Sequence, residues 1–407
     1  MMTPTTLENY QYYRDLIKGR RLPLALVDLD RFDANVAYVA ATQQESGKTI
    51  RVASKSVRCP ALLHRVFATG GPGYKGILAF TVEEAAFLAD NGFDDILIAY
   101  PTVQPTDLDL LVETTRKGTQ VALVVDCLEH LRHLARAGGQ GGVTLRACLE
   151  IDMAYRPMGR AIHLGVRRSP LRDVRQVAEL ARAAAGLKGV RITAVMGYEA
   201  QIASVNDAVP RQRLKNAVVR KIKRRSMADI MARRQQVIQV LEDEGCAIDI
   251  VNGGGSGSLK ATALDPSVTE VTAGSAFFAP GLFHHFHDLR FAPAAFFALQ
   301  VVRAPAPGMI TCQGGGYVAS GQTGVDKQPR PVMPQGLRYI GIEGAGEVQT
   351  PLRLPADAPP LAMGDPVFFQ HAKAGELCER FNHLLLVRNG RIVDCVPTYR
   401  GDGHAFL

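Results

Sequence analysis

Between residues 22 and 273 the chain alternates short apolar, β-branched runs with longer stretches whose apolar residues recur every three or four positions. No other feature limits the fold so strongly. Parallel strands must be joined by crossover connections, usually helices, so strand alternating with helix is the signature of a parallel β/α architecture. The spacing predicts strands near 22–30, 51–54, 76–80, 95–100, 120–126, 144–152, 191–198, 247–252 and 270–273, and helices over 31–44, 81–91, 107–117, 128–137, 173–187, 226–244 and 258–264. Nine candidate strands are one more than a closed eight-stranded barrel needs, and the first is the uncertain one. No dinucleotide fingerprint follows that first strand, which removes an open doubly wound sheet as the main rival.

The rhythm changes after about residue 278. Short β-type runs follow at 295–304, 309–311, 338–343, 366–370, 384–388 and 391–398, separated by Gly- and Pro-rich turns. A chain of 407 residues exceeds one ordinary core. The expected plan is α/β: an N-terminal (β/α)8 TIM-type barrel over 21–284, then a mostly β domain over 285–407 that also takes residues 1–20.

No run of 18 or more apolar residues is present, so no membrane span is expected. The stretch from Met1 to Tyr13 is polar and lacks the order of a signal peptide, and seven scattered cysteines suit reduced thiols; both point to a cytoplasmic protein. Much of the net charge of +8 sits between Arg211 and Arg234. That run has no interleaved aromatics and no recognition motif, so it reads as a solvated helix face or subunit contact, not a nucleic-acid surface. Attraction of anionic substrates is a further use for it.

Barrel chemistry sits where strands end and loops begin. Lys55 ends the strand Thr49-Ile50-Arg51-Val52-Ala53-Ser54, where desolvation would favour a neutral, nucleophilic amine. Asp152, Tyr155 and Arg156 end a second strand, and Tyr198, Glu199 and Gln201 end a third. Asn252-Gly253-Gly254-Gly255-Ser256-Gly257-Ser258 then follows the strand at 247–252. Successive glycines let backbone N–H groups approach an anion, and the serines add hydroxyls. The loop lacks the ending of a P-loop. Ala273-Gly274-Ser275 can close the same pocket. In the β domain, His371 and Cys378 share a Gly-bearing loop and can reach one metal ion, although their spacing lies outside the regular zinc-finger patterns. On the residues alone, a buried His and a packed Cys is the better reading.

Taken together, Lys55 in R-x-x-x-K, Arg156 in E-I-D-x-x-x-R, the G-G-G-S-G loop and the A-G-S segment resemble the alanine-racemase-type (fold type III) pyridoxal-phosphate enzymes. The trailing β domain with its His and Cys is similar to that of the D-threonine aldolase and D-serine dehydratase group. The resemblance implies that Lys55 is the Schiff-base lysine, that Gly254, Gly255 and Ser256 hold the cofactor phosphate, and that Arg156 lies near its phenolic oxygen. It makes Tyr198 and Glu199 candidates for the pyridine nitrogen. It makes His371 and Cys378 ligands of a divalent metal, zinc or manganese. Two departures suggest a distinct subgroup. Cys378 keeps the family's four-residue distance to Asn382 but lies seven residues after His371, not two, and Ala53 and Val57 replace flanking histidines. The implied function is metal-assisted retro-aldol cleavage of D-3-hydroxy-α-amino acids to glycine and an aldehyde by a homodimer. Dehydration of D-serine or D-3-hydroxyaspartate to a keto acid and ammonia is the alternative. A racemase using Tyr317 or Tyr399 comes next, and a non-catalytic cofactor carrier last.

Overall fold

The structure is a computed structural model that describes residues 10–159, 161–322, 324–356, 360–373 and 375–406. The first strand, β1 (Leu24–Asp28), stands apart from the barrel. Among the described residues eight strands then close a parallel barrel in chain order: β2 (Thr49–Ala53), β3 (Tyr74–Ala79), β4 (Ile96–Ile98), β5 (Val121–Val125), β6 (Leu145–Glu150), β7 (Val190–Gly197), β8 (Ile250–Gly253) and β9 (Glu270–Ala273). Closure is the pairing of Thr49 with Glu270 through Val52 with Ala273. All five residues of β5 are buried, as expected for a strand covered on both faces.

Most helices form where the periodicity places them, while Pro60–Gly70, which opens on a proline, was not anticipated. Asp173 and Gln176 build a reciprocal capping box ahead of Val174–Ala185, which buries Val177, Leu180, Ala181 and Ala184. The helix Arg213–Asp243 starts thirteen residues before the predicted 226, because its first half is too polar to show an apolar stripe. That helix also absorbs part of the basic run. Lys223 pairs with Asp207 at 2.8 Å, and the fully buried Arg234 pairs with Asp265.

A second sheet of nine strands, among the described residues, contains β1 together with β10 (Ala295–Ala306), β11 (Met309–Gln313), β12 (Arg330–Met333), β13 (Arg338–Tyr339), β14 (Gln349–Arg353), β15 (Pro366–Gln370), β16 (His383–Arg388) and β17 (Arg391–Pro397). Strand β1 lies inside this sheet, antiparallel to β10 and parallel to β16. The uncertain ninth strand is therefore the first, and the other eight make the barrel. Tyr13, from the helix Tyr10–Leu16, donates to Asp28 at 2.7 Å and packs on Phe296 and Phe368 of the same sheet.

One buried polar chain ties together the strands that carry the predicted chemistry. Arg51 on β2 is fully buried and pairs with Glu270 on β9. Glu270 accepts from Asn252 on β8 at 2.7 Å, and Asn252 bonds Thr272 at 2.9 Å. A buried charge stays satisfied only when such partners hold their places, so the starts of three functional segments are fixed relative to one another.

Candidate active site

Lys55 lies in a single 3-10 turn, Ser54–Ser56, directly after β2, with its side chain half-buried. The A-G-S segment after β9 rests on this turn. A Cβ on Gly274 would fall 2.7 Å from the Ala53 carbonyl oxygen and 3.0 Å from Ser56 Cβ, so only glycine allows the approach. The Ser56 and Ser275 hydroxyls share a hydrogen bond of 3.2 Å. Ser256, from the glycine loop after β8, accepts from the N–H groups of Gly274 and Ala276 at 3.2 and 3.0 Å. Lysine turn, A-G-S segment and glycine loop thus form one assembly at the C-terminal mouth of the barrel. Gly254 takes a left-handed φ of +83°, and a Cβ on Gly255 would stand 3.1 Å from the Tyr198 ring.

Around Lys55 are groups that the motifs did not single out. Its ammonium donates to the Tyr100 hydroxyl, at the end of β4, over 2.8 Å. Arg168 lies 5.4 Å from the centre of the Tyr100 ring and 5.6 Å from that of Tyr198, within cation–π range of both, and 4.0 Å from Glu150 at the end of β6. Burial pushes the Glu150 carboxyl up to about 7, against the opposing pull of Arg168. Burial also acts to raise the Tyr100 phenol, but Lys55 and Arg168 outweigh it and hold the phenol below its usual value. Tyr100 ends a predicted strand and the strand-end rule would have found it, whereas Glu150 ends the observed β6 two residues inside the predicted one. Arg168 is exposed on a long loop and carried no signal in the sequence.

Arg156 is not brought to Lys55. It ion-pairs with Asp152 at 2.5 Å, beside Arg172 and Arg233, in a groove between the helices Val174–Ala185 and Arg213–Asp243. The guanidinium at the mouth is that of Arg168. Tyr198 does reach the site, its hydroxyl bonded to Ser204 at 2.8 Å and its ring against Gly255 and Arg168. Glu199 is fully buried, with Thr262 and Arg234 as its partners.

The loop that carries His371 and Cys378 wraps the lysine turn. The Cys378 thiol donates to the Val57 carbonyl at 3.1 Å, a Cβ on Gly375 would meet the Lys55 carbonyl oxygen, and Arg58 bonds that same oxygen at 2.9 Å while ion-pairing with Glu379. His371 is buried edge-on to Phe278, neither ring nitrogen has a hydrogen-bond partner, and burial lowers its pKa to about 4. An orphaned neutral imidazole suits a ligand. Cys378 does not: burial pushes its pKa far up, and the thiol proton is already used. Among the described residues, Asp126, Cys127 and His130 form the one group of three potential ligands, at the end of β5, and it includes neither residue. Tyr399 donates to the buried Glu84 at 2.9 Å, and Tyr317 packs on Phe297 and Phe381.

Known proteins are similar to this chain in sequence and in fold. The chain is 27% identical over 323 residues to a D-threonine aldolase of Arthrobacter sp, covering 79% of this chain and 77% of the relative. Its fold matches the crystal structure of D-threonine aldolase from Filomicrobium marinum with a TM-score of 0.79 at 22% identity, over 94% of this chain and 95% of that one. It also matches D-threo-3-hydroxyaspartate dehydratase from Delftia sp. HT23 with a TM-score of 0.72 at 19% identity, over 93% and 98%. The alanine racemase N-terminal domain matches residues 27–280, more than half of the sequence, and the chain belongs to that family of fold type III pyridoxal-phosphate enzymes.

Proposed function

We propose that this protein is a lyase of D-3-hydroxy-α-amino acids that carries pyridoxal phosphate on Lys55 and cleaves the Cα–Cβ bond, giving glycine and an aldehyde. One observation supports this above the others: a lysine at the end of the first barrel strand is tied, through Gly274 and Ser256, to a glycine loop suited to a phosphate. The residues present fit the cofactor, since Gly274 has no room for a side chain and a Cβ on Gly255 would press on the Tyr198 ring at 3.1 Å. Gly254, Gly255 and Ser256 would hold its phosphate, Tyr198 would flank it, and Lys55 would hold its carbonyl carbon. When bound, pyridoxal phosphate supplies an electron sink conjugated to the substrate Cα.

The chain's own groups do the rest. Arg168, which donates no hydrogen bond to any described residue, binds and orients a substrate carboxylate. Lys55 holds and releases a proton on the substrate side. Tyr100 and Tyr198 flank it, both beneath Arg168. Of the two expected metal ligands only His371 fits the role, because Cys378 would have to lose both its proton and its bond to Val57.

Dehydration to a keto acid and ammonia is the second reading. The hydrogen-bonded Lys55–Tyr100 pair favours it, because it can accept a Cα proton. Racemisation finds less support, since Tyr399 is buried against Glu84 and Tyr317 is packed into the second sheet. Incubation with D-threonine, D-serine and D-3-hydroxyaspartate, each with and without chelator, separates the readings. Glycine plus aldehyde supports the proposal, keto acid plus ammonia selects the dehydratase, and an L-isomer alone defeats both.

A further inference from the structure

We propose that Tyr100 is a second catalytic residue of this site, exchanging a proton directly with the Lys55 amine. The proposal rests on the reading of Lys55 above and gives that lysine a partner. The contact is direct: Nζ donates to Oη over 2.8 Å, and the ammonium lies 5.3 Å from the centre of the same ring. A tyrosine serving only as a strut would need neither this contact nor the charges around it. Lys55 faces the phenol from the turn after β2, Arg168 from the loop after β6, and Glu150 from the end of β6. Two cations stand against one carboxyl whose burial keeps it protonated up to about 7. That balance favours a phenolate. Elsewhere in the fold Tyr10, Tyr13, Tyr74, Tyr198, Tyr339 and Tyr399 move the opposite way, raised first of all by burial.

The exchange is balanced. The Tyr100 O–H bond breaks with its electron pair staying on oxygen, and the lone pair of a neutral Lys55 amine takes the proton. The reverse step returns it. The pair carries the same net charge before and after, so no counter-ion moves and no solvent proton is needed. Lys55 can then alternate between an amine that accepts a substrate proton and an ammonium that returns one.

The test uses the full-length chain with carbon-labelled tyrosine, titrated by NMR with and without cofactor. One tyrosine is expected to ionise below the ordinary value of 10.0. Its signal should be missing in Tyr100→Phe and should ionise at higher pH in Arg168→Leu and Lys55→Met. In the loaded enzyme, Tyr100→Phe should lower kcat roughly 10²-fold with KM nearly unchanged, and should remove one limb of the pH profile. The proposal is overturned if no tyrosine ionises early, or if Tyr100→Phe keeps the parent's kcat and pH profile. Borohydride trapping followed by peptide mapping separates the two levels. If Lys55 is not marked, the reading of the site falls and this proposal with it. If Lys55 is marked while Tyr100→Phe behaves as the parent, only the exchange falls.

Discussion

The thiol of Cys378 donates to the carbonyl of Val57 at 3.1 Å, fastening a loop of the second sheet to the barrel two residues past Lys55. The lysine turn is thus held from both units: from below by the buried Arg51 on β2, and from above by Cys378, Gly375 and Glu379.

Cys378→Ala removes that bond and opens a small void in a fully buried position. Unfolding in urea should show a loss of about 1–3 kcal/mol. Zinc and manganese content of the purified protein should stay at the parent's level. A variant that loses metal and keeps its stability would make Cys378 a ligand after all.

Arg168→Leu and Arg156→Leu should behave differently. The first removes the guanidinium at the mouth and should reduce kcat/KM about 10- to 100-fold, as expected when a charged hydrogen bond worth roughly 1.5–3 kcal/mol is lost. The second strips one partner from Asp152 and should lower the melting temperature with kcat/KM within about twofold, because Arg172 still pairs with that carboxylate. Steady-state kinetics and thermal melts on the two variants, run side by side, decide it.

Gly274→Ala places a Cβ 2.7 Å from the Ala53 carbonyl oxygen and 2.8 Å from Ala53 Cβ, contacts only a backbone shift can relieve. Overpacking of this kind costs about 1–3 kcal/mol, and here it falls on the lysine turn. The expected result is an intact far-UV spectrum with cofactor affinity weakened about tenfold or more, read by absorbance titration.

Glu84 is fully buried, accepts from the Phe80 N–H and the Tyr399 hydroxyl, and is pushed by burial up to about 7. The fold therefore holds a proton that the unfolded chain releases at ordinary carboxylate pH. That stabilisation is complete below the unfolded pKa and is lost as pH rises through about 7. The urea midpoint should fall across this window, and Glu84→Gln should make the fall shallower. Glu150, raised for the same reason, keeps some of the slope.

The eight barrel strands were legible because each is a short apolar run separated from the next by a helical stretch, two of them capped by Thr81 and Asp173. The glycine loop was legible because its backbone requirement excludes other residues. Arg168 was not. Motif spacing counts along the chain, but the loop after β6 doubles back through the paired bridge of Tyr155 and Leu164, which turns Arg156 outward and returns Arg168 over the mouth. The first half of Arg213–Asp243 escaped for a different reason. Its anchors are polar, with Lys223 on the Asp207 carboxylate and Arg220 on the Asp207 backbone carbonyl, and such bonds leave no periodic trace.

Strand β1 pairs Leu26 with Phe296 on one side and with Leu385 on the other. A ribosome adding roughly 5–20 residues per second therefore exposes this strand for tens of seconds before either neighbour exists. All eight barrel strands are synthesised before the first partner of β1, and the second sheet cannot be sealed until the chain is almost finished. A protein joined this way matures from the middle outward.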